Sequence, residues 1–97
     1  MTELKIYYLL NIDNEYIYHG TNEDEFIESV LRYLKTELFE TVENYKTYIL
    51  THDEYLEEMR RFINIREKIK ECENFAQLNY IATSLDFKAK IKTIDLD

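Results

Sequence analysis

A two-layer α+β domain is what this sequence predicts: a small, mostly antiparallel sheet covered by helices, in the order ββαβααβ. Three observations lead there. Leu4, Ile6, Tyr8, Leu10 and Ile12 alternate with Lys5, Tyr7, Leu9 and Asn11, the period of a half-buried strand. The stretch from Thr51 to Cys72 repeats apolar residues at helical spacing between clear end signals. Phe87, Ala89 and Ile91 alternate with Lys88, Lys90 and Lys92, which makes 87–94 a second amphipathic strand.

The first strand runs into Asp13-Asn14, residues that suit a tight turn, and Tyr16–His19 reads as the return strand of a hairpin. A two-residue turn pairs Leu10 with Ile17 and gathers Tyr7, Leu9, Tyr16 and Tyr18 on an outer face. A three-residue turn pairs Leu10 with Tyr18 and buries those tyrosines instead; the first register is preferred. Gly20-Thr21-Asn22 then ends the hairpin, with Thr21–Asp24 and Asn22–Glu25 both able to cap a helix. Phe26, Ile27, Val30, Leu31, Leu34 and Leu38 keep helical spacing to about Phe39.

Tyr45–Leu50 is dense in β-favouring residues and follows a helix-breaking Asn44, so a strand is expected there, although Val42 and Tyr45 also fit a longer helix. Thr51 with Glu54 forms a capping box, acids fill the first turns and Arg66, Lys68 and Lys70 come late, as the helix dipole favours. The apolar arc of this helix is about 200° wide, broad enough for it to be the scaffold on which the rest packs. Glu58 and Arg66 fall inside the arc, so each needs a partner or a place at its rim. Asn74 with Gln77 caps a shorter helix carrying Phe75, Leu78, Ile81, Ala82 and Leu85.

Ninety-seven residues with 45% hydrophobic content bound the chain to one ordered domain, 1–97. A single cysteine, Cys72, sits on the helix stripe and fits a reducing cytoplasm. The first residues lack a secretory pattern, and no apolar run suits a membrane span, so a soluble, cytoplasmic protein is expected. The chain has one glycine and no proline, leaving its turns to Asn, Asp and Ser.

Net charge is −8, and residues 1–44 carry ten acidic against three basic side chains, so most of that charge lies there. Direct binding to nucleic-acid phosphates is not expected of such a surface. His19 and His52 lack the spacing of a metal pair, Asp13-Asn14-Glu15 lacks the rest of a calcium loop, and Cys72 has no histidine tied to it in sequence. No catalytic residue, cofactor or metal is therefore assigned.

Nine tyrosines exceed what so small a core needs, and tyrosine is favoured where proteins meet. The expectation is a non-enzymatic protein-binding module: Tyr7, Tyr16 and Tyr18 anchor, while Glu15, Glu23, Asp24 and Glu25 steer a basic or nucleic-acid-binding protein partner. In size and charge the chain resembles small phage or mobile-element inhibitors, including anti-CRISPRs and other anti-defence proteins, and toxin-immunity proteins. A self-associating, homodimeric structural protein is the alternative.

Overall fold

A computed structural model describes residues 2–45 and 51–96. Strands β1 (Glu3–Leu10) and β2 (Tyr16–Gly20) are followed by helices α1 (Glu23–Tyr45), α2 (His52–Glu71) and α3 (Phe75–Ser84) and by strand β3 (Lys88–Asp95). The fold is α+β, with one antiparallel sheet in the order β2-β1-β3. Among the described residues the order is ββαααβ. Of the strand expected at 45–50, Tyr45 closes α1, and 46–50 lie outside the described residues.

The hairpin keeps the preferred register over Tyr7–Leu9, which pair with Gly20, His19 and Tyr18, and departs from it only at Leu10. Leu9 pairs with Tyr18 but Leu10 pairs with Tyr16, so Ile17 is an extra residue in a β-bulge. The loop is built by Asn11 rather than by Asp13-Asn14 alone. The Asn11 side-chain oxygen accepts the amides of Asp13 and Glu15, both at 2.9 Å, and its own amide donates to the Glu15 carbonyl at 3.1 Å. Asn14 takes the left-handed conformation (φ 62°) that asparagine tolerates.

Asn22, not Thr21, caps α1: its side-chain oxygen accepts the Glu25 amide at 3.0 Å. The helix then runs past Phe39 to Tyr45, because Val42 extends the row of Leu34 and Leu38 and keeps packing on the core. The Thr41 hydroxyl donates to the Glu37 carbonyl (2.8 Å) and so causes no break. Helix α2 begins at the expected capping box, with Thr51 Oγ1 accepting from the Glu54 amide at 3.2 Å. Helix α3 ends in a Schellman motif: Asp86 N–H donates to the Thr83 carbonyl, Phe87 N–H to that of Ala82, and Asp86 is left-handed (φ 67°).

The helices occupy one face of the sheet. There Tyr7, Leu9 and Ala89 meet Phe26, Ile27, Val30, Leu34 and Leu38 of α1, Phe62 and Ile65 of α2, and Leu78, Ile81 and Ala82 of α3. Helix α1 supplies five of these buried side chains and α2 only two, so α1 is the scaffold, a correction to the role expected of Thr51–Cys72. The arc of α2 is wider than its buried stripe, since Leu56 and Ile63 face solvent. Tyr7, Phe26 and Phe75 form a ring cluster with centroids 5.8–6.4 Å apart. Tyr33 lies edge-on to both Tyr18 and Phe87, joining α1 to the sheet and to the approach of β3.

The molecule is long, 59 × 27 × 15 Å, with a radius of gyration of 15.8 Å. A compact chain of this length would be about 12–13 Å. Part of the length is the far end of the β1–β3 ladder. Lys5, Thr93 and Ile91, on the helical side, are exposed, and among the described residues Glu3–Ile6 have no partner on the β2 side.

Candidate binding surface

Among the described residues no helix packs on the opposite face of the sheet. Alternation along β1 sends Tyr7 and Leu9 into the core, so Leu4, Ile6, Tyr8 and Leu10 form a row on the other side. Leu4, Ile6 and Tyr8 are not among the side chains packed on the helical core, while Leu10 is buried apart from it. Across β1, Lys88 pairs with Leu10, Lys90 with Tyr8, Lys92 with Ile6 and Ile94 with Leu4. Partners lie on one face of a sheet, so three lysines flank the apolar row. On the β2 side, Tyr16 pairs with Leu10 and His19 with Tyr8, and the Tyr8 and Tyr16 rings are 5.5 Å apart.

Leu10 is only 8% exposed, whereas Leu4, Ile6 and Tyr8 are half-buried and Tyr16 is 71% exposed. Lys88, Lys90 and Lys92 are themselves exposed. Among the described residues none of the three lysines makes an ion pair, although the chain has 20 acidic side chains. A row of unpaired cations beside an apolar strip is thus set into an otherwise acidic protein.

The expected site residues divide. Tyr7 is buried at 7% exposure between Phe26 and Phe75, so it stabilises the core and offers no surface; the odd-numbered row of β1, not the even one, faces the helices. Tyr18 faces the helical side, where its ring meets Tyr33 at 5.7 Å; it shares a shallow depression with Glu25, His19 and Asn22. Tyr16 is on the open face, with Glu15 beside it in the hairpin loop. Glu23 and Asp24 are exposed in the first turn of α1, beyond the other end of β2, about 17 Å of strand away from Glu15. The expected acidic, tyrosine-rich patch is therefore two separate pairs, Tyr16 with Glu15 and Tyr18 with Glu25.

The sequence reading missed the juxtaposition of Tyr8 with Lys90, because the two lie more than eighty residues apart in the chain and meet only when β3 pairs with β1. It also set Glu58 and Arg66 apart as charges within an apolar arc. Glu58 lies 3.7 Å from Arg61, too long for a hydrogen bond, and its Oε2 is buried. Arg61 also donates to the Ser84 carbonyl at 2.6 Å, tying α2 to α3. Arg66 is half-exposed at the rim of a groove between α1 and α2, opposite Lys35 and over Leu38, Phe39 and Ile63.

Burial pushes the Cys72 thiol up, against a smaller opposing effect from the Asn74 backbone. It is therefore less nucleophilic at neutral pH than a solvated thiol. No group of three or more His, Cys, Asp or Glu converges as a metal site, and no helix is long and apolar enough to cross a membrane, among the described residues. Comparison with protein-family models, curated proteins and solved structures gives no match.

Proposed function

We propose that this protein is a non-enzymatic protein-binding module that acts by covering a partner's surface with the open face of its sheet. The observation that carries this reading is the row of partly exposed Leu4, Ile6 and Tyr8, bordered by Tyr16 on one side and three unpaired lysines on the other. Apolar and aromatic side chains at the centre with charge at the margin is the usual anatomy of a protein interface. Tyr16 keeps the anchoring role expected of it, and Tyr8 takes the place that Tyr7 cannot fill. An inhibitor of the phage-encoded kind needs no more than this, because occupying a surface requires no chemistry.

The test compares partner capture from cells by the wild-type chain and by the variants Tyr16→Ala and Ile6→Glu. Both variants change the open face and leave the helical core untouched. Loss of the captured protein with both, at unchanged thermal stability, supports the reading. Retention with both overturns it.

A second reading, self-association, has its own observation. Among the described residues the β1 edge at Glu3–Ile6 is unpaired on the β2 side, and a strand edge of this kind can pair with another copy. Light scattering after size exclusion decides it: a stable dimer supports this reading and a strict monomer at high concentration ends it.

A further inference from the structure

We infer that the occupant of the open sheet face is an acidic amphipathic helix of the partner protein, an inference that rests on the binding-module reading above. Net charge alone suggests the opposite, because a chain at −8 should attract a basic partner. The local arrangement outweighs it. Within a Debye length of about 8–10 Å, Lys88, Lys90 and Lys92 set the field at the face.

Spacing fits a helix in both directions. Successive lysines on β3 are about 6.8 Å apart along the strand, and residues i and i+4 of a helix rise about 6 Å. A stripe of Glu or Asp at i, i+4 and i+8 therefore meets all three ammonium groups. Beside the lysines, at the strand separation of about 4.8 Å, runs the β1 row of Leu4, Ile6 and Tyr8, which receives the helix's apolar stripe. An eight-residue strand spans about 27 Å, the length of about 18 helical residues.

A single-stranded nucleic acid is disfavoured by the same residues. Binding of that kind uses flat aromatic platforms for the bases. Here the row is aliphatic except for Tyr8, whose ring is tilted against Tyr16 with 53° between their planes. Edge protection by lysine is a further role for β3, and charge reversal separates it, because a glutamate row keeps the edge charged while inverting the sign.

The experiment is fluorescence anisotropy of the full chain with three labelled probes of similar length. One is a synthetic helix with a Glu stripe beside a Leu stripe, the second replaces each Glu by Lys, and the third is single-stranded DNA. The inference predicts that the acidic helix binds best, about tenfold tighter than the basic one, and that it weakens as salt rises. The triple variant Lys88→Glu, Lys90→Glu, Lys92→Glu should invert the preference. The milder pair Lys90→Gln, Lys92→Gln should weaken the acidic probe, and it decides the matter if the reversal variant does not fold. Equal binding of the two helices, or no effect of the substitutions, overturns the acidic-helix inference. If Tyr16→Ala and Ile6→Glu still abolish capture of the cellular partner, the binding-module reading survives that result. Preferential binding of DNA overturns the inference and the reading together.

Discussion

Tyr16 and Tyr18 stand two positions apart in one strand, yet Tyr16 lies on the open face of the sheet and Tyr18 on the helical face. In a regular strand they would share a face. Ile17, the extra residue of the bulge, breaks the alternation and turns its own half-buried side chain toward the core. This one residue divides the tyrosines of the hairpin between the open face and the helical face of the sheet. Deleting Ile17 removes the bulge and a contact with the core while leaving Leu9 opposite Tyr18 and Leu10 opposite Tyr16, so both tyrosines keep their faces. The expected outcome is a loss of thermal stability from the missing Ile17 side chain with the Tyr18–Tyr33 contact kept, read as an unchanged Tyr33 environment by NMR.

Leu9 and Leu4 are the same residue type on one strand with different work. Leu9 is fully buried among the helices, and Leu4 is half-buried on the open face. Leu9→Ala should cost about 2–5 kcal/mol in urea unfolding. Leu4→Ala should cost clearly less, because part of the Leu4 side chain remains in water in the folded state. Equal costs would mean that the assignment of faces is mistaken.

Capping distinguishes residues that the sequence offered as equals. Asn22→Ala removes the acceptor for the Glu25 amide and should cost about 1 kcal/mol, with Thr21→Ala close to neutral. Thr51→Ala should cost a similar ~1 kcal/mol by opening the capping box of α2. Asp86→Gly should act in the other direction. Asp86 occupies the left-handed position where glycine is favoured, so a gain of about 0.5–1 kcal/mol is expected in the same unfolding measurement.

Two groups set the alkaline behaviour. Burial raises Tyr33, with nearby Glu37 adding to the shift, and burial raises Cys72. In each case the neutral form is favoured in the folded state. Their stabilising contribution is fully present below the unfolded-state pKa and is lost as pH rises through the folded-state value. Stability should therefore fall above the ordinary cysteine range and again above the ordinary tyrosine range. Tyr33→Phe should flatten the second fall. Cys72 should react with a disulfide reagent at pH 8 more slowly than a cysteine in a short peptide, and an equal rate would contradict its burial.

Much of the fold was legible because local signals agreed with one another. Thr51 with Glu54 and Asn74 with Gln77 marked two helix starts, and the lysine alternation marked β3. The direction in which β1 faces was not legible. Both of its rows are apolar, so a period of two identifies the strand without choosing which row the helices cover. The choice falls to Phe26 and Phe75, which meet Tyr7 from distant parts of the chain. The bulge was hidden for a similar reason, since Asn11 closes the loop from a position that continues the strand pattern. The end of α1 depended on whether Val42 would find the core, which nothing in its neighbours decides. The candidate surface was hardest to see, because Tyr8 and Lys90 belong to opposite ends of the chain.

Hydrogen exchange of the protein alone and bound to its captured cellular partner tests the central claim most directly. Partner-induced protection should concentrate at Ile6–Leu10, Tyr16 and Lys88–Lys92, the strands that form the open face. The first turn of α1, at Glu23, Asp24 and Glu25, should exchange as before. Protection of that turn and of the outer surfaces of α1 and α2, with the strands unchanged, would contradict the account and move the binding surface to the helical layer.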